Sequence, residues 1–567
     1  MKRIPKTPRV FTPIDSMRSL IRLLAEHGDK TAFRYFVGSD VREMTYIDFS
    51  SLCLREAAAF HTFERPLRIA VIGDNSPFWL STYISAIASG NVIVPMDKEL
   101  SVDEIGGFFE TAAVDAVVYS SGFNQKMERF VGTHPTVRWF IPIDAAELSY
   151  ADREGVIPLD ALLARGDAAL AAGYVLPEPE PERMAVMLFT SGTTGTSKCV
   201  CLRESNVVSS ANAACATVNF SKADTTVSVL PIHHTYELCV SLAELIYGIT
   251  IAINDSLRHV IKNMRRFQPT GMILVPLFVA TMHKKIFEEA RKSGKEKKLR
   301  FGLRLSRFLR RFGIDLRARL FADVRAAFGG RLEKIICGGA PLDPQLVEIF
   351  DEFGIQIAEG YGITECSPLV AVTPYYAPKP GSVGPAVPGC TVRIDGGTEN
   401  ERGYREGEIC VHGDNVMIGY LDPAQTAAAM TEDGWFRTGD IGYLDGDGYI
   451  YITGRLKSVI ISENGKNVFP EELEEYLGKI DTVLESVVVG RPDPDNARSL
   501  ALTAIIVPDE NAFAPGTSHE EMEKSIRASV TELNRHLVAY KKLQHVEFRY
   551  TEFEKTTSRK IKRHLVK

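Results

Sequence analysis

Residues 68 to 95 read RIAVIGDNSPFWLSTYISAIASGNVIVP. The pattern predicts a strand, a helix and a second strand. The runs AVDAVVYSS (113–121) and RWFIPID (138–144) predict further buried strands. After the proline- and acid-rich connector LPEPEPER (176–183) the alternation resumes. Here SVLPI (228–232), GMILVP (271–276), EKIICGGA (333–340) and IQIAEGYG (355–362) read as strands. Alternation of this kind argues for an α/β fold with parallel strands. From 381 to 451 the character changes to short strands with frequent glycines, and DGDGYIYITGR reads as a turn entering a strand. From about Leu456 a further small unit begins. VFPEELEEYLGKI predicts a helix with Pro470 in its first turn and acids early. ESVVVG and ALTAIIV predict strands, and 518–537 a second helix. The expected organisation is a large α/β domain, 1–455, of two parallel-type subdomains plus a β-rich subdomain at about 381–455. A small α+β domain, 456–567, follows it.

Residues 291–320 stand apart, with twelve Lys or Arg against two acids, Glu296 and Asp315. Leu305, Phe308, Leu309, Phe312, Leu316 and Leu320 fall at helical spacing, with Arg304, Arg307 and Arg311 on another face. One reading is a surface helix whose apolar stripe covers the core. The other is a basic amphipathic patch that touches anionic lipid.

Composition adds little direction. The 567 residues are 45% hydrophobic and 24% charged, with net charge −6, so no general preference for polyanions such as nucleic acid is expected. The nine cysteines are scattered without CxxC pairs, which argues against zinc or a disulfide framework and for a reducing cytoplasm. The start, MKRIPKTPRVFTPID, lacks the apolar core of a signal peptide. No apolar run reaches the roughly 18 residues of a membrane span. The nearest, 227–253, is interrupted by His233, His234, Glu237 and Glu244.

The segment LFTSGTTGTSKCV (188–200) carries chemistry. A glycine-, serine- and threonine-rich loop after a strand lets several backbone N–H groups converge on an anion. Thr190, Ser191, Thr193 and Thr194 can add hydroxyl donors around Gly192, and Lys198 can add positive charge. The loop is not a Walker motif, because two residues separate its last glycine from the lysine. A flexible polar loop would have the same composition.

Four other stretches occur in order: GGAPL (338–342), EGYGITECSP (359–368), GWFRTGDIGYLDGDGYIYITGR (434–455) and KTTSRKIKR (555–563). With all five motifs together, most of the chain resembles the adenylate-forming enzymes. These comprise acyl-CoA synthetases, firefly luciferase and peptide-synthetase adenylation domains. The basic insertion before GGAPL and the NGKNVFPEELE segment look most like long-chain fatty acid:CoA ligases.

The resemblance implies a set of roles. ATP and Mg²⁺ would be used with a fatty acid and coenzyme A. Tyr361 would lie against adenine, with Gly338, Gly339 and Ala340 letting backbone pack on its other face. Thr364 would bond the α-phosphate, and Glu365 would hold Mg²⁺, a hard cation that prefers oxygen. Asp440 would accept hydrogen bonds from the ribose hydroxyls, and Arg455 would reach ribose and phosphate. Lys560, carried by a mobile C-terminal domain, would cancel the repulsion between a carboxylate and the α-phosphate. Lys457 would be the hinge. The loop at Gly465 would line the path of the pantetheine arm, and His234 would sit at the carboxylate end of the acyl pocket.

Ordinary readings stand beside these. Tyr361 could be packing, Thr364–Glu365 a helix cap, Asp440 and Arg455 each a member of some surface salt bridge, His234 a core histidine, and Lys560 part of a basic tail. Three positions depart from the family pattern: Ser197 where proline is usual, Cys199 where glycine is usual, and Arg559 where glycine is usual. Cys199 is expected to be a small buried residue. The rival readings are an enzyme that activates another carboxylic acid or loads a carrier-protein thiol, and a non-catalytic binder of nucleotide or acyl groups.

Overall fold

The computed structural model describes residues 11–566 apart from 145–147, 191–196, 462–466, 494–495 and 556–560. It gives no side-chain surroundings for 461, 467, 493, 496–499 and 564. The described chain packs as two compact units. The first holds the residues up to Thr391 together with Val411–Phe436; the second holds Val392–Cys410 and the residues from Arg437 onward.

Two large sheets build the first unit. One has seven strands, in spatial order Gly419–Tyr420, Lys198–Arg203, Met184–Thr190, Val92–Met96, Arg68–Ile72, Ala116–Tyr119 and Trp139–Pro142. Its last five strands run parallel, and Lys198–Arg203 and Gly419–Tyr420 are added antiparallel at one edge. The other sheet has eight strands, in the order Leu369–Val372, Gln356–Gly362, Lys334–Gly338, Gly271–Leu274, Thr225–Ser228, Thr250–Ile253, Thr31–Val37 and Asp40–Thr45. It is parallel through its middle and antiparallel at both margins.

The expected strand–helix–strand at 68–95 is present as Arg68–Ile72, Pro77–Ala88 and Val92–Met96. Ser76 caps the helix by accepting from the Trp79 N–H, and Pro77 occupies the first turn, where its missing donor costs nothing. Nearly the whole helix is buried, which is why its sequence is apolar all round rather than striped.

Two expectations need correction. SVLPI is not a strand: the strand is Thr225–Ser228, and the chain leaves the sheet at Val229. Pro231 cannot donate to a ladder. The Asn75 side chain binds this stretch instead, donating to Ser228 Oγ (2.9 Å) and Leu230 O (2.7 Å) and accepting from the Ile232 N–H (3.0 Å).

The stripe on 305–320 does not cover the core. The helix is Glu296–Arg310, and only Gly302 and Ser306 on it are buried. A Cβ on Gly302 would stand 3.5 Å from the Phe321 ring, so the inward face admits small residues. Arg310 turns back to Asp351 at 2.7 Å, while Phe301, Phe308 and Phe312 point outward and are more than half exposed.

A four-stranded sheet of Cys390–Glu399, Arg405–Gly413, Phe436–Leu444 and Ile450–Arg455, its last two strands antiparallel, lies mostly in the second unit and falls in the stretch read as β-rich. The second unit also contains a three-stranded sheet of Val483–Asp493, Asn496–Pro508 and His545–Phe548. Helices Pro470–Gly478 and His519–His536 close a core of Leu473, Leu477, Val488, Leu502, Ile506 and Ile526 against that sheet. Among the described residues no helix is long and apolar enough to cross a membrane.

Candidate active site

In open parallel sheets, ligands bind beyond the carboxyl ends of the strands. The Gly/Ser/Thr segment lies at such an end. Thr190 closes the strand Met184–Thr190, and Lys198 opens its antiparallel neighbour. The two residues face each other in register, and Thr190 Oγ1 donates to Lys198 O at 3.4 Å. The strand pair therefore fixes Thr190 and Lys198 on either side of the segment between them. Ser191, Gly192, Thr193 and Thr194 fall outside the described residues, as do Gly465 and Lys560.

Lys198 is half-buried, and its Nζ lies 4.2 Å from the centroid of the Tyr420 ring. Such a contact is worth about 0.5–2 kcal/mol and restrains an otherwise mobile ammonium group. Tyr420 is brought there by the edge strand Gly419–Tyr420, where it pairs with Val200. Its hydroxyl donates to Glu365 Oε1 at 2.8 Å. Burial first, then the charge of Glu365, pushes the Tyr420 phenol far above its ordinary range, so the hydroxyl remains a donor at physiological pH.

The backbone carbonyl of Glu365 accepts from the Met417 N–H at 2.8 Å, which ties the Thr364–Cys366 turn to the same edge. Lys198, Tyr420 and Glu365 thus meet from three separate stretches of chain. Among the described residues the hydrogen bond to this carboxylate falls on Oε1, and none falls on Oε2.

Gly338 ends the strand Lys334–Gly338, beside Gly360 of Gln356–Gly362. A Cβ there would stand 3.0 Å from Gly360 O. Gly339 has φ +85°, a conformation that glycine adopts without strain, and the exposed Ala340 follows it. Tyr361 is buried within its strand, and Thr364 opens the turn that carries Glu365. The structure therefore gathers Gly338, Gly339, Tyr361, Thr364 and Glu365 at the ends of two adjacent parallel strands.

His234 caps the helix Thr235–Tyr247, after a turn in which its N–H donates to Pro231 O. Its ring stacks obliquely on the buried His233, with centroids 4.2 Å apart.

Asp440 and Arg455 belong to the second unit. They are register partners on adjacent antiparallel strands, and Arg455 Nε lies 3.0 Å from Asp440 Oδ1. The carboxylate is 4% exposed and the guanidinium about half exposed. Arg455 thus neutralises a buried charge while about half of its side chain stays exposed. Lys457 is exposed in a single 3₁₀ turn, Leu456–Ser458, directly after this strand, and the compact unit extends on both sides of it.

Cys199 is buried, as its neighbours in sequence suggested. The hydrogen bond to Cys201, followed by burial, raises its thiol, so it carries no thiolate beside the loop.

Sequence reasoning missed Tyr420. A tyrosine after glycine among short strands carries no pattern of its own. Only the antiparallel pairing with Lys198–Arg203 shows what it touches.

A lysine and a carboxylate are thus joined through one tyrosine, beside the strand ends that flank the glycine- and hydroxyl-rich segment. The chain belongs to the AMP-binding enzyme family. That family's pattern matches residues 22–421, and the pattern of the AMP-binding enzyme C-terminal domain matches 472–560. Long-chain-fatty-acid–CoA ligase 1 of Homo sapiens is 30% identical over 467 residues, 78% of this chain and 65% of that protein. Long-chain-fatty-acid–CoA ligase FadD15 of Mycobacterium bovis is 28% identical over 462 residues, 79% of this chain and 74% of that one. The crystal structure of ATP-bound MatB from Rhodopseudomonas palustris shares the fold, with a TM-score of 0.72 at 23% identity, over 97% of this chain and 98% of that one.

Proposed function

We propose that this protein is an ATP-dependent acid–thiol ligase that activates a long-chain fatty acid. The fatty carboxylate attacks the α-phosphorus of ATP, pyrophosphate leaves, and an acyl-adenylate forms. The thiolate of coenzyme A then attacks the acyl carbonyl, giving the thioester and AMP. Both steps bring anions together, so the protein must supply fixed positive charge and oriented donors.

Lys198 and the Thr190–Thr194 segment, with Ser191, Gly192 and Thr193, would hold the phosphates. Thr364 would fix the α-phosphate. Glu365 would hold Mg²⁺, and the ion would neutralise phosphate charge. Gly338, Gly339, Ala340 and Tyr361 would flank adenine; Asp440 and Arg455 would take the ribose. His234 would face the carboxylate. With 1–455 as the large domain and 456–567 as the small one, turning about Lys457 would present first Lys560 for adenylation and then the Gly465 loop for thioester formation.

The observation that best supports this reading is the link from Lys198 through Tyr420 to Glu365. It couples a phosphate-binding cation to a metal-binding carboxylate. The test is incubation with ATP, Mg²⁺ and a panel of acids, following pyrophosphate and AMP with and without coenzyme A. Long-chain acids should release pyrophosphate, and coenzyme A should convert the product to thioester. No pyrophosphate from any acid would leave a non-catalytic binder. Pyrophosphate without thioester would point to a carrier-protein thiol.

The basic segment fits a protein that draws its acid from a lipid surface. Phe301, Phe308 and Phe312 stand 65%, 55% and 67% exposed among the exposed Lys297, Lys298, Arg304 and Arg311. Apolar side chains ringed by cations favour insertion at an anionic interface. We assign 291–320 as the region of peripheral contact.

A further inference from the structure

We propose that Asp97, His233 and His234 form a binding site for a borderline divalent transition cation, Zn²⁺ in the first instance. The ligand atoms of the three residues all lie within 4.8 Å of one another. His233 Nε2 is 3.4 Å from Asp97 Oδ2. A tetrahedral zinc centre with bonds of about 2.0–2.2 Å separates its ligand atoms by about 3.4 Å, so this pair already spans one edge of such a centre.

The His233 ring is 6% exposed, and its Nε2 makes no hydrogen bond. A buried ring nitrogen that makes no hydrogen bond is costly, and a cation bridging it to the facing carboxylate would satisfy it.

The surrounding structure holds these groups in place. Asp97 directly follows the strand Val92–Met96 of the seven-stranded sheet. Its Oδ1 accepts from the Glu99 N–H at 2.9 Å, and its Oδ2 lies toward His233. The histidines follow Thr225–Ser228 of the eight-stranded sheet, on the turn that Asn75 fixes at Leu230 and Ile232. Outer-shell bonds of this kind orient metal ligands before the ion arrives. Lys98, the cation next to Asp97 in sequence, is paired with Asp74 at 2.7 Å.

Two imidazoles and one carboxylate favour Zn²⁺, Cu²⁺ or Ni²⁺ over Mg²⁺. The site is therefore chemically distinct from Glu365, although it shares His234 with the ligase reading. An ion held here would staple two segments that follow strands of different sheets and would stabilise the folded state by mass action.

The experiment is calorimetric titration of chelator-stripped full-length protein with ZnCl₂, without ATP, acid or coenzyme A. Its outcome is independent of whether the protein is a ligase. One saturable site per chain is expected, unaffected by excess Mg²⁺, and the thermal midpoint should rise with Zn²⁺. Loss of an outer-shell partner alone weakens metal sites by about 10–100-fold, so His233→Ala and Asp97→Asn should each weaken binding at least about tenfold. Wild-type protein loaded with Co²⁺ should show the visible spectrum of nitrogen and oxygen ligation without thiolate bands. That reading needs no variant to fold. Absence of one-to-one binding, unchanged affinity in both variants, or a thiolate band assigning the ion to the protein's buried cysteines would each overturn the proposal.

Discussion

Tyr420 donates a 2.8 Å hydrogen bond to Glu365 Oε1 while its ring lies 4.2 Å from Lys198 Nζ. One side chain thus sets the separation of a cation and an anion that come from distant parts of the chain. A hydrogen bond to a charged group contributes about 1.5–3 kcal/mol. Tyr420→Phe keeps the ring and loses only this bond. It should slow pyrophosphate release by about tenfold and raise the Mg²⁺ concentration needed for half-maximal rate, with the fold intact. Tyr420→Ala also loses the cation–ring contact and should be slower still. A Mg²⁺ dependence identical to wild type in Tyr420→Phe would remove the link between Tyr420 and the metal.

Lys560→Ala should separate the two half-reactions. Pyrophosphate release with acid and ATP should fall by at least about a hundredfold, in the range seen when a transition-state charge partner is removed. Thioester formation from acyl-adenylate supplied ready-made should change little. Equal loss of both steps would contradict a role confined to adenylation.

Glu56 sets a pH dependence of stability. It lies wholly buried between helices Tyr46–His61 and Pro77–Ala88; one oxygen accepts from Ser81 Oγ at 2.9 Å and the other has no partner. Burial raises its carboxyl to about 8, and Glu237 is raised to about 8 for the same reason. The folded chain therefore keeps protons that the unfolded chain releases above about pH 4.3. This contribution is complete at low pH and is lost as pH rises towards 8. Glu56→Gln, which stays neutral, should raise the thermal midpoint relative to wild type most at about pH 8 and least at about pH 5. A pH-independent difference would show that Glu56 titrates alike in the folded and unfolded chains.

The exposed phenylalanines should matter at a membrane and nowhere else. Phe308→Ser with Phe312→Ser should reduce co-sedimentation with anionic vesicles several-fold and leave the thermal midpoint unchanged, because neither ring is buried. Binding by the wild type should fall as salt screens the arginines and lysines. Equal sedimentation of variant and wild type at low salt would remove the aromatic residues from the interface.

Much of the fold was legible because parallel strands buried on both faces must be continuously apolar, as at 69–72 and 92–96. The candidate site was legible only in part. Gly338, Tyr361, Thr364 and Glu365 lie in stretches of unusual local composition, and two adjacent strands do bring them together. The 305–320 stripe misled because apolar spacing specifies a helical face but not which way it turns. Gly302, which faces Phe321, and Ser306 were the residues that turned inward.

By itself, the sequence determined the alternation of strand and helix, the glycine- and hydroxyl-rich loop with its lysine, and the order of five motifs. These properties depend on neighbours within a few positions. Tertiary structure alone decided that Tyr420 bridges Lys198 and Glu365, that Arg455 neutralises the buried Asp440, and that Asp97 faces His233. Each of these pairs depends on strand register and sheet order. Residues far apart in sequence become neighbours only when burial of apolar surface closes the chain upon itself.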